Sequence, residues 1–336
     1  MVRQHRPAGP PSWDPRLLSG LRPKTVALYQ KAVATFLADP AVRCRCLDTV
    51  PALDEALVAF ATVRDLSRPK LERLVAAVEA VLPQAKGKLV WVRALLRAWA
   101  RLRPPRHSPP LPWRGAVAVA WHLALSGFPR LAGVALLQWA AGLRPSEALN
   151  LRQVDLLPPE RNVTSPNVAL LALGVRLGTK VGRPQCAHLS TREAPEAVAV
   201  VRAFCGTTAP DELLAGSPVG VGEYGRRLRR SFAALGLGRF GFGPHSLRAG
   251  WASEMRLRGM PIAELKERGR WASDSSLRVY LDQISAASIS LQLPQVDVVA
   301  DFVLADFVSR WPWWPARPAA RPAASVGKGL PSAWRP

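Results

Sequence analysis

The chain has 336 residues, 46 of them Lys or Arg against 24 Asp or Glu, for a formal charge of +22 and a pI near 11.3. Such a balance, built mainly from arginine, suits a polyanion whose phosphate oxygens guanidinium forks hold in pairs, and its spread over several predicted helices argues against a membrane-surface role. With 49% hydrophobic residues there is material for two cores, while Cys44, Cys46, Cys186 and Cys205 form neither a disulfide framework nor paired zinc ligands, which points to a reduced intracellular setting.

The first segment, MVRQHRPAGPPSWDP, is basic and Pro-rich and has no apolar stretch of a secretory signal, so residues 1–16 are expected to form a disordered or DNA-touching arm. Pro23 opens a helical pattern with Val26, Tyr29, Val33 and Phe36 on one face. Further helices are predicted over 52–65, over 69–81 after a Ser67 cap, and over 88–102. Residues 17–103 thus read as a four-helix module. Arg93, Arg97, Arg101 and Arg103 recur near one side of its last helix, beside Trp91 and Trp99. Two readings stay open for them: a solvated basic face over a Trp-anchored core, or a DNA-facing surface. RPPRHSPPLPW, residues 103–113, is too Pro-rich for helix, and residues 104–112 are taken as a hinge.

The second domain is predicted over 113–309. The apolar stretch 116–143 is broken by His122, Gly127, Pro129 and Arg130, giving two buried helices and no membrane span. GLRPSEALNLRQVDLL then places Arg144 at the mouth of a helix, with Ser146 as N-cap and Glu147 in the first turn, where a carboxylate suits the helix dipole. ALLALGVRL and PQCAHLS read as two strands joined by a tight turn, with Lys180 at its tip. Helices follow near 195–204, 222–235, 245–257, 262–269 and 275–285. The second of these carries the basic run EYGRRLRRSF, with Arg226, Arg227 and Arg230 as candidate DNA contacts. Residues 296–308 form a short apolar helix, and 310–336, rich in Pro, Ala and Arg without an acidic residue, are expected to be disordered.

Four side chains between residues 244 and 280 carry the chemistry. PHSLRAG supplies His245 and Arg248, which lie three apart and share one helix face. GRW supplies Trp271, and SSLRVYLD supplies Tyr280, nine residues later. A phenol is a weak nucleophile near neutral pH unless its proton is removed and the attacked phosphate is neutralised. Of the three tyrosines, Tyr29 falls in the N-terminal module and Tyr224 in the basic run, so only Tyr280 follows GRW. No phosphate-binding GxxxxGK[ST] loop is present; Gly174 to Lys180 merely approximates one. Nor is there a carboxylate cluster near the basic motifs of the kind two-metal nucleases need.

Taken together, GLRPSE, a lysine hairpin, PHSLRAG, GRW and a following Tyr resemble the tyrosine recombinase (phage integrase) family over about residues 110–290, with a looser likeness before that. The resemblance implies a mainly α fold with a small antiparallel sheet, an N-terminal core-binding (SAM-like) helical domain that clamps DNA, and an integrase-like catalytic domain. It implies metal-free, cofactor-free transesterification: Tyr280 attacks the scissile phosphate, giving a 3′-phosphotyrosyl link and a free 5′-hydroxyl. Arg144 and Arg248 would hold the non-bridging oxygens, His245 would share the Tyr280 proton, Lys180 would protonate the leaving 5′-oxygen, and Trp271 would donate its indole N–H. Many members have His where Trp271 stands. Glu147 would orient a cation. The implied partner is double-stranded DNA, bound by a homo-tetramer on paired sites, inside the cell and away from any membrane; the 296–308 helix would pack on a neighbouring protomer or on its own domain. Site-specific recombination or integration of a mobile element is the expected role, with type IB topoisomerase-like relaxation and a catalytically silent DNA-binding relic as alternatives.

Overall fold

Prolines set where many of the helices begin. Pro40, Pro51, Pro69, Pro129, Pro145, Pro195 and Pro244 each occupy a first or second helical position, where the missing N–H would have had no partner and the fixed φ already suits a helix. The structure, a computed structural model, describes residues 18–21, 23–102, 108–174, 184–281, 286, 288 and 289. It divides into two units between residues 106 and 107.

The first unit holds α1 (Pro23–Leu37), a one-turn α2 (Pro40–Arg43), α3 (Val50–Val63), α4 (Arg68–Val81) and α5 (Val90–Leu102). Its core gathers Phe36, Leu57, Phe60, Leu71 and Val92, with the Phe36 and Phe60 rings edge-on at 5.3 Å. Asp54 of α3 is almost wholly buried because its carboxylate caps α5, accepting the N–H of Trp91 at 2.7 Å and of Val92 at 2.9 Å; a carboxylate at a helix N-terminus is favoured by the dipole. Ser67 is the N-cap of α4, as expected from the sequence, but its hydroxyl makes no cap bond. Trp91 is 66% exposed and does not anchor the core, as one of the two sequence readings of this face would have it, whereas Trp99 packs against that core.

The second unit runs through α6 (Trp113–Leu125), α7 (Pro129–Ala140), α8 (Pro145–Leu149), β1 (Leu156–Leu157), β2 (Val168–Leu173), β3 (Gln185–Ser190), α9 (Pro195–Thr207), α10 (Val221–Ala234), α11 (Pro244–Leu257), α12 (Ile262–Arg268) and α13 (Asp274–Arg278). Every residue of α7 from Leu131 to Ala140 is buried, which explains the apolar run there: α6, α8, α9 and α11 all pack against it. The strands form one antiparallel sheet in the order β1-β2-β3, with Leu156 opposite Leu171 and Val168 opposite Ser190. Ala169, Leu171 and Leu173 of β2 and Ala187 and Leu189 of β3 face the core, the alternation a half-buried strand requires. Among the described residues no helix is long and apolar enough to cross a membrane.

The architecture is mainly α with a small antiparallel sheet, as the sequence led us to expect, and the differences are local. The end of the Pro-rich segment belongs to the second unit: Leu111 is fully buried, its N–H donates to Ser246 O at 3.0 Å, and its carbonyl accepts from Trp139 Nε1 at 2.8 Å. Of the helix expected over 275–285, the described residues hold Asp274–Arg278, and Tyr280 sits in the turn after it, its N–H on Leu277 O at 2.8 Å; residues 282–285 lie outside the described residues. The β2–β3 turn with Lys180, the arm 1–16, the 296–308 helix and the tail 310–336 lie outside the described residues.

Gly250 shows how tightly α11 is seated. A Cβ there would lie 1.7 Å from Leu111 O and 2.8 Å from Trp139 Nε1. Neither backbone nor a bonded indole can yield cheaply, so Gly250→Ala should lose about 2 kcal/mol or more of stability, the scale of core overpacking. Urea unfolding of the full chain reads this directly, and an unchanged midpoint would contradict the packing.

Candidate active site

Proline fixes the first cation. With Pro145 at the first helical position, the residue before it is held extended, and Arg144 becomes the N-cap of α8, with φ −68° and ψ 148°. The expected cap, Ser146, lies inside the helix instead, where its carbonyl accepts from Asn150 Nδ2 at 2.7 Å. Glu147 folds back on Arg144: Oε2 accepts the Arg144 backbone N–H at 2.8 Å and Oε1 accepts Nη1 at 2.5 Å. Burial alone would push the Glu147 carboxyl up, but the Arg270 guanidinium, then Arg144, outweigh it and hold its pKa below the usual value.

Helix α11 brings His245 in its first turn and Arg248 one turn on. The Arg248 side chain is fully buried. Its Nη1 donates to Gly142 O and its Nη2 to Gly269 O at 2.5 Å, while its guanidinium carbon lies 4.0 Å above the Trp271 ring and 5.5 Å from the Tyr280 ring. Burial, then repulsion by Arg270 and Arg144, draws its pKa down to about 9, which leaves it cationic at neutral pH. The His245 and Tyr280 rings are 6.4 Å apart, and those of Trp271 and Tyr280 5.5 Å apart. Trp271 also stacks on Trp251, with ring centres at 6.1 Å and planes 14° apart. The half-buried Tyr280 is held from behind by Ser253 Oγ, which donates to its carbonyl at 3.0 Å.

Arg144, Glu147, His245, Arg248, Trp271 and Tyr280 therefore meet from four separate stretches of chain. Sequence reasoning passed over Arg270. It is buried to 8% exposure and donates from Nη2 to Glu147 Oε2 at 3.0 Å. Burial lowers its pKa, with Glu147 opposing. It also missed Gln138, fully buried, which accepts from Tyr224 Oη at 2.9 Å and donates to Pro244 O at 2.7 Å, fixing the start of α11. Tyr224 is thereby a core residue, and burial drives its pKa far above that of a free phenol.

Buried polar atoms without partners are rare in folded proteins. Among the side chains of the described residues there are five, and three of them are Arg248 Nε, Arg270 Nε and Trp271 Nε1. All three belong to the cluster of residues just described.

The candidate DNA contacts are placed as follows. On α5, Arg93 pairs with Glu79 at 2.5 Å, and Arg97 and Arg101 are exposed. On α10, Arg226 and Arg227 share Glu223, Arg227 also lies 4.0 Å over the Phe128 ring, and Arg230 is exposed, as is the neighbouring Arg229. Arg103 lies outside the described residues.

No family model and no curated protein matches the sequence. Solved structures do. The chain is similar to the Tn1549 transposon integrase in complex with a circular intermediate DNA, with TM-score 0.57 and 14% identity over 83% of this chain and 96% of that one. It is similar to a lambda integrase dimer bound to a COC′ core site, with TM-score 0.55 and 14% identity over 80% and 92%. It is also similar to XerH site-specific recombinase bound to palindromic difH substrate, with TM-score 0.52 and 14% identity over 80% and 78%. The chain has the fold of these integrases and recombinases.

Proposed function

We propose that the chain is a tyrosine recombinase that breaks and rejoins double-stranded DNA through a phosphotyrosyl intermediate. The observation that carries this reading is the convergence on one phenol, Tyr280, of Arg248 at 5.5 Å, Trp271 at 5.5 Å and His245 at 6.4 Å. In the reaction, the Tyr280 oxygen bonds to phosphorus and the bond to the 5′-oxygen breaks. The Tyr280 proton passes to His245, and the leaving oxygen takes a proton from Lys180. A 5′-hydroxyl from a partner strand then reverses these steps, so the phosphodiester energy is kept in the covalent link. Arg144, Arg248 and Trp271 Nε1 offset charge growing on the phosphate oxygens, which is the largest single contribution such a site can make.

The same reading assigns the arginines of α5 and α10 to the DNA backbone, where forks hold phosphates without reading sequence, and adds a homo-tetramer on paired sites and the mobility of a DNA element. The integrase and recombinase structures of the same fold that hold DNA support it. One observation favours a silent DNA-binding relic instead: both terminal nitrogens of Arg248 are already bonded to carbonyls.

Covalent trapping separates the two. The protein is incubated with a pool of nicked duplexes of random sequence, in which the fragment bearing the 5′-hydroxyl is lost after cleavage. A DNA adduct on Tyr280 is expected, and its absence across the pool would leave the relic. In the same assay Lys180→Ala should be rescued by a 5′-bridging sulfur, a leaving group that needs no proton; no rescue would remove Lys180 from the general-acid role.

A further inference from the structure

Arg270 stands where backbone geometry gives least reason for an arginine. Helix α12 ends with the Arg270 N–H on Glu267 O at 2.9 Å and the Trp271 N–H on Lys266 O at 3.0 Å, a closure that needs a left-handed residue at 270. Its φ is 59°. Glycine ordinarily fills that place, because a Cβ crowds the following carbonyl oxygen. Here the glycine stands one position earlier, at 269, where a Cβ would come within 1.5 Å of Trp271 Cζ3. Arginine thus occupies strained backbone and is buried as well, and strain retained beside a candidate site points to a use for the side chain.

The contacts say what that use is. One Glu147 carboxylate bridges two guanidiniums, Arg144 Nη1 on Oε1 at 2.5 Å and Arg270 Nη2 on Oε2 at 3.0 Å. Arg144 Nη2 in turn donates to Arg270 O at 3.2 Å. Arg270 Nη2 also reaches Gly142 O at 3.3 Å, the carbonyl that accepts from Arg248 Nη1. A single side chain therefore grips the partner of Arg144 and a partner of Arg248. Without it, Glu147 would answer to one cation only, and the Gly142 carbonyl would be held from one side.

We propose that Arg270 is a positioning residue of the phosphate site: by pinning Glu147 and Gly142 O it fixes Arg144 and Arg248 in one mutual geometry. The ligand's identity as a phosphodiester rests on the recombinase reading; the clamp does not.

Two variants test it in the full chain. Arg270→Gly suits the left-handed backbone and removes the side chain, whereas Arg270→Lys keeps the charge and loses the fork. Arg270→Gly relieves the strained backbone but takes one cation from buried Glu147; compared at a temperature where both proteins are folded, it should form the Tyr280 adduct at least about tenfold more slowly, since small misplacements of charged groups cost rate steeply. Arg270→Lys should recover part of that rate. A merely structural arginine would leave the adduct rate of the folded protein unchanged, and that result overturns the proposal. A readout free of cleavage uses inorganic phosphate at constant ionic strength. Phosphate should raise the wild-type melting temperature more than that of Arg270→Gly, and equal shifts overturn the clamp. Absence of any wild-type adduct alongside unequal phosphate shifts would sink the recombinase reading and leave Arg270 its role.

Discussion

Tyr280→Phe should abolish the covalent DNA adduct while leaving DNA affinity within about fivefold of the wild type, the ceiling set by one hydrogen bond of about 1 kcal/mol. The phenol oxygen is the nucleophile of the proposed reaction, so its loss removes the bond-forming atom, and no neighbouring group can replace it. The ring stays, and with it the contacts to Trp271 and His245. In the proposed reading binding is set elsewhere, by exposed arginines such as Arg97, Arg101 and Arg230. Tyr224→Phe is the matching control. Its hydroxyl is buried and spent on Gln138 Oε1, so that variant should lose about 1 kcal/mol or more of stability through the unpaired amide oxygen and keep the adduct. Adduct on Tyr280→Phe, or its loss only in folded Tyr224→Phe, would move the nucleophile and end the assignment.

Much of this arrangement was legible in the sequence because it rests on local rules. Prolines and apolar periodicity marked the long helices, and the short runs ALLALGVRL and PQCAHLS, with glycines between them, marked the two longer strands. What failed was also physical. Ser146 is the better capping side chain, but Pro145 forces the residue before it to be extended, and that residue is Arg144. β1 has two residues, Leu156 and Leu157, too few to show a period. The helix drawn through Tyr280 looked continuous, yet it closes at Arg278, a boundary that periodicity does not mark. Of the two readings left open for the face beside Trp91, the Trp-anchored core fails at this residue, since the N–H of its backbone, not its indole, is what Asp54 holds. Arg270 escaped because the left-handed position after α12 is one where side chains are not expected at all. The site's chemistry was thus written in motifs, while the device that ties its cations together depends on distant carbonyls and one carboxylate.

Arg144→Ala should slow adduct formation by at least about a hundredfold, the loss seen when one preorganised charge-stabilising donor is removed. Among the guanidiniums of the site it is the cleanest to delete. Its side chain keeps 19% exposure, and Glu147 would still be paired with Arg270, so no buried carboxylate is orphaned. Stability should therefore change little. Arg248→Ala is expected to be as damaging to cleavage but for a mixed reason: the side chain is fully buried, and its removal strands the Gly269 carbonyl and opens a cavity under Trp271. Comparing the two by urea unfolding and single-turnover trapping separates charge from packing. Arg144→Lys should recover less than about tenfold, because an ammonium cannot span Glu147 Oε1, Arg270 O and a phosphate oxygen as a planar fork can. If Arg144→Ala instead cleaved within about tenfold of the wild type, with the adduct still on Tyr280, the charge growing on phosphate would be met by Arg248 and Trp271 alone, and the Arg144–Glu147–Arg270 chain would have to be read as a brace for α8 rather than as part of the reaction.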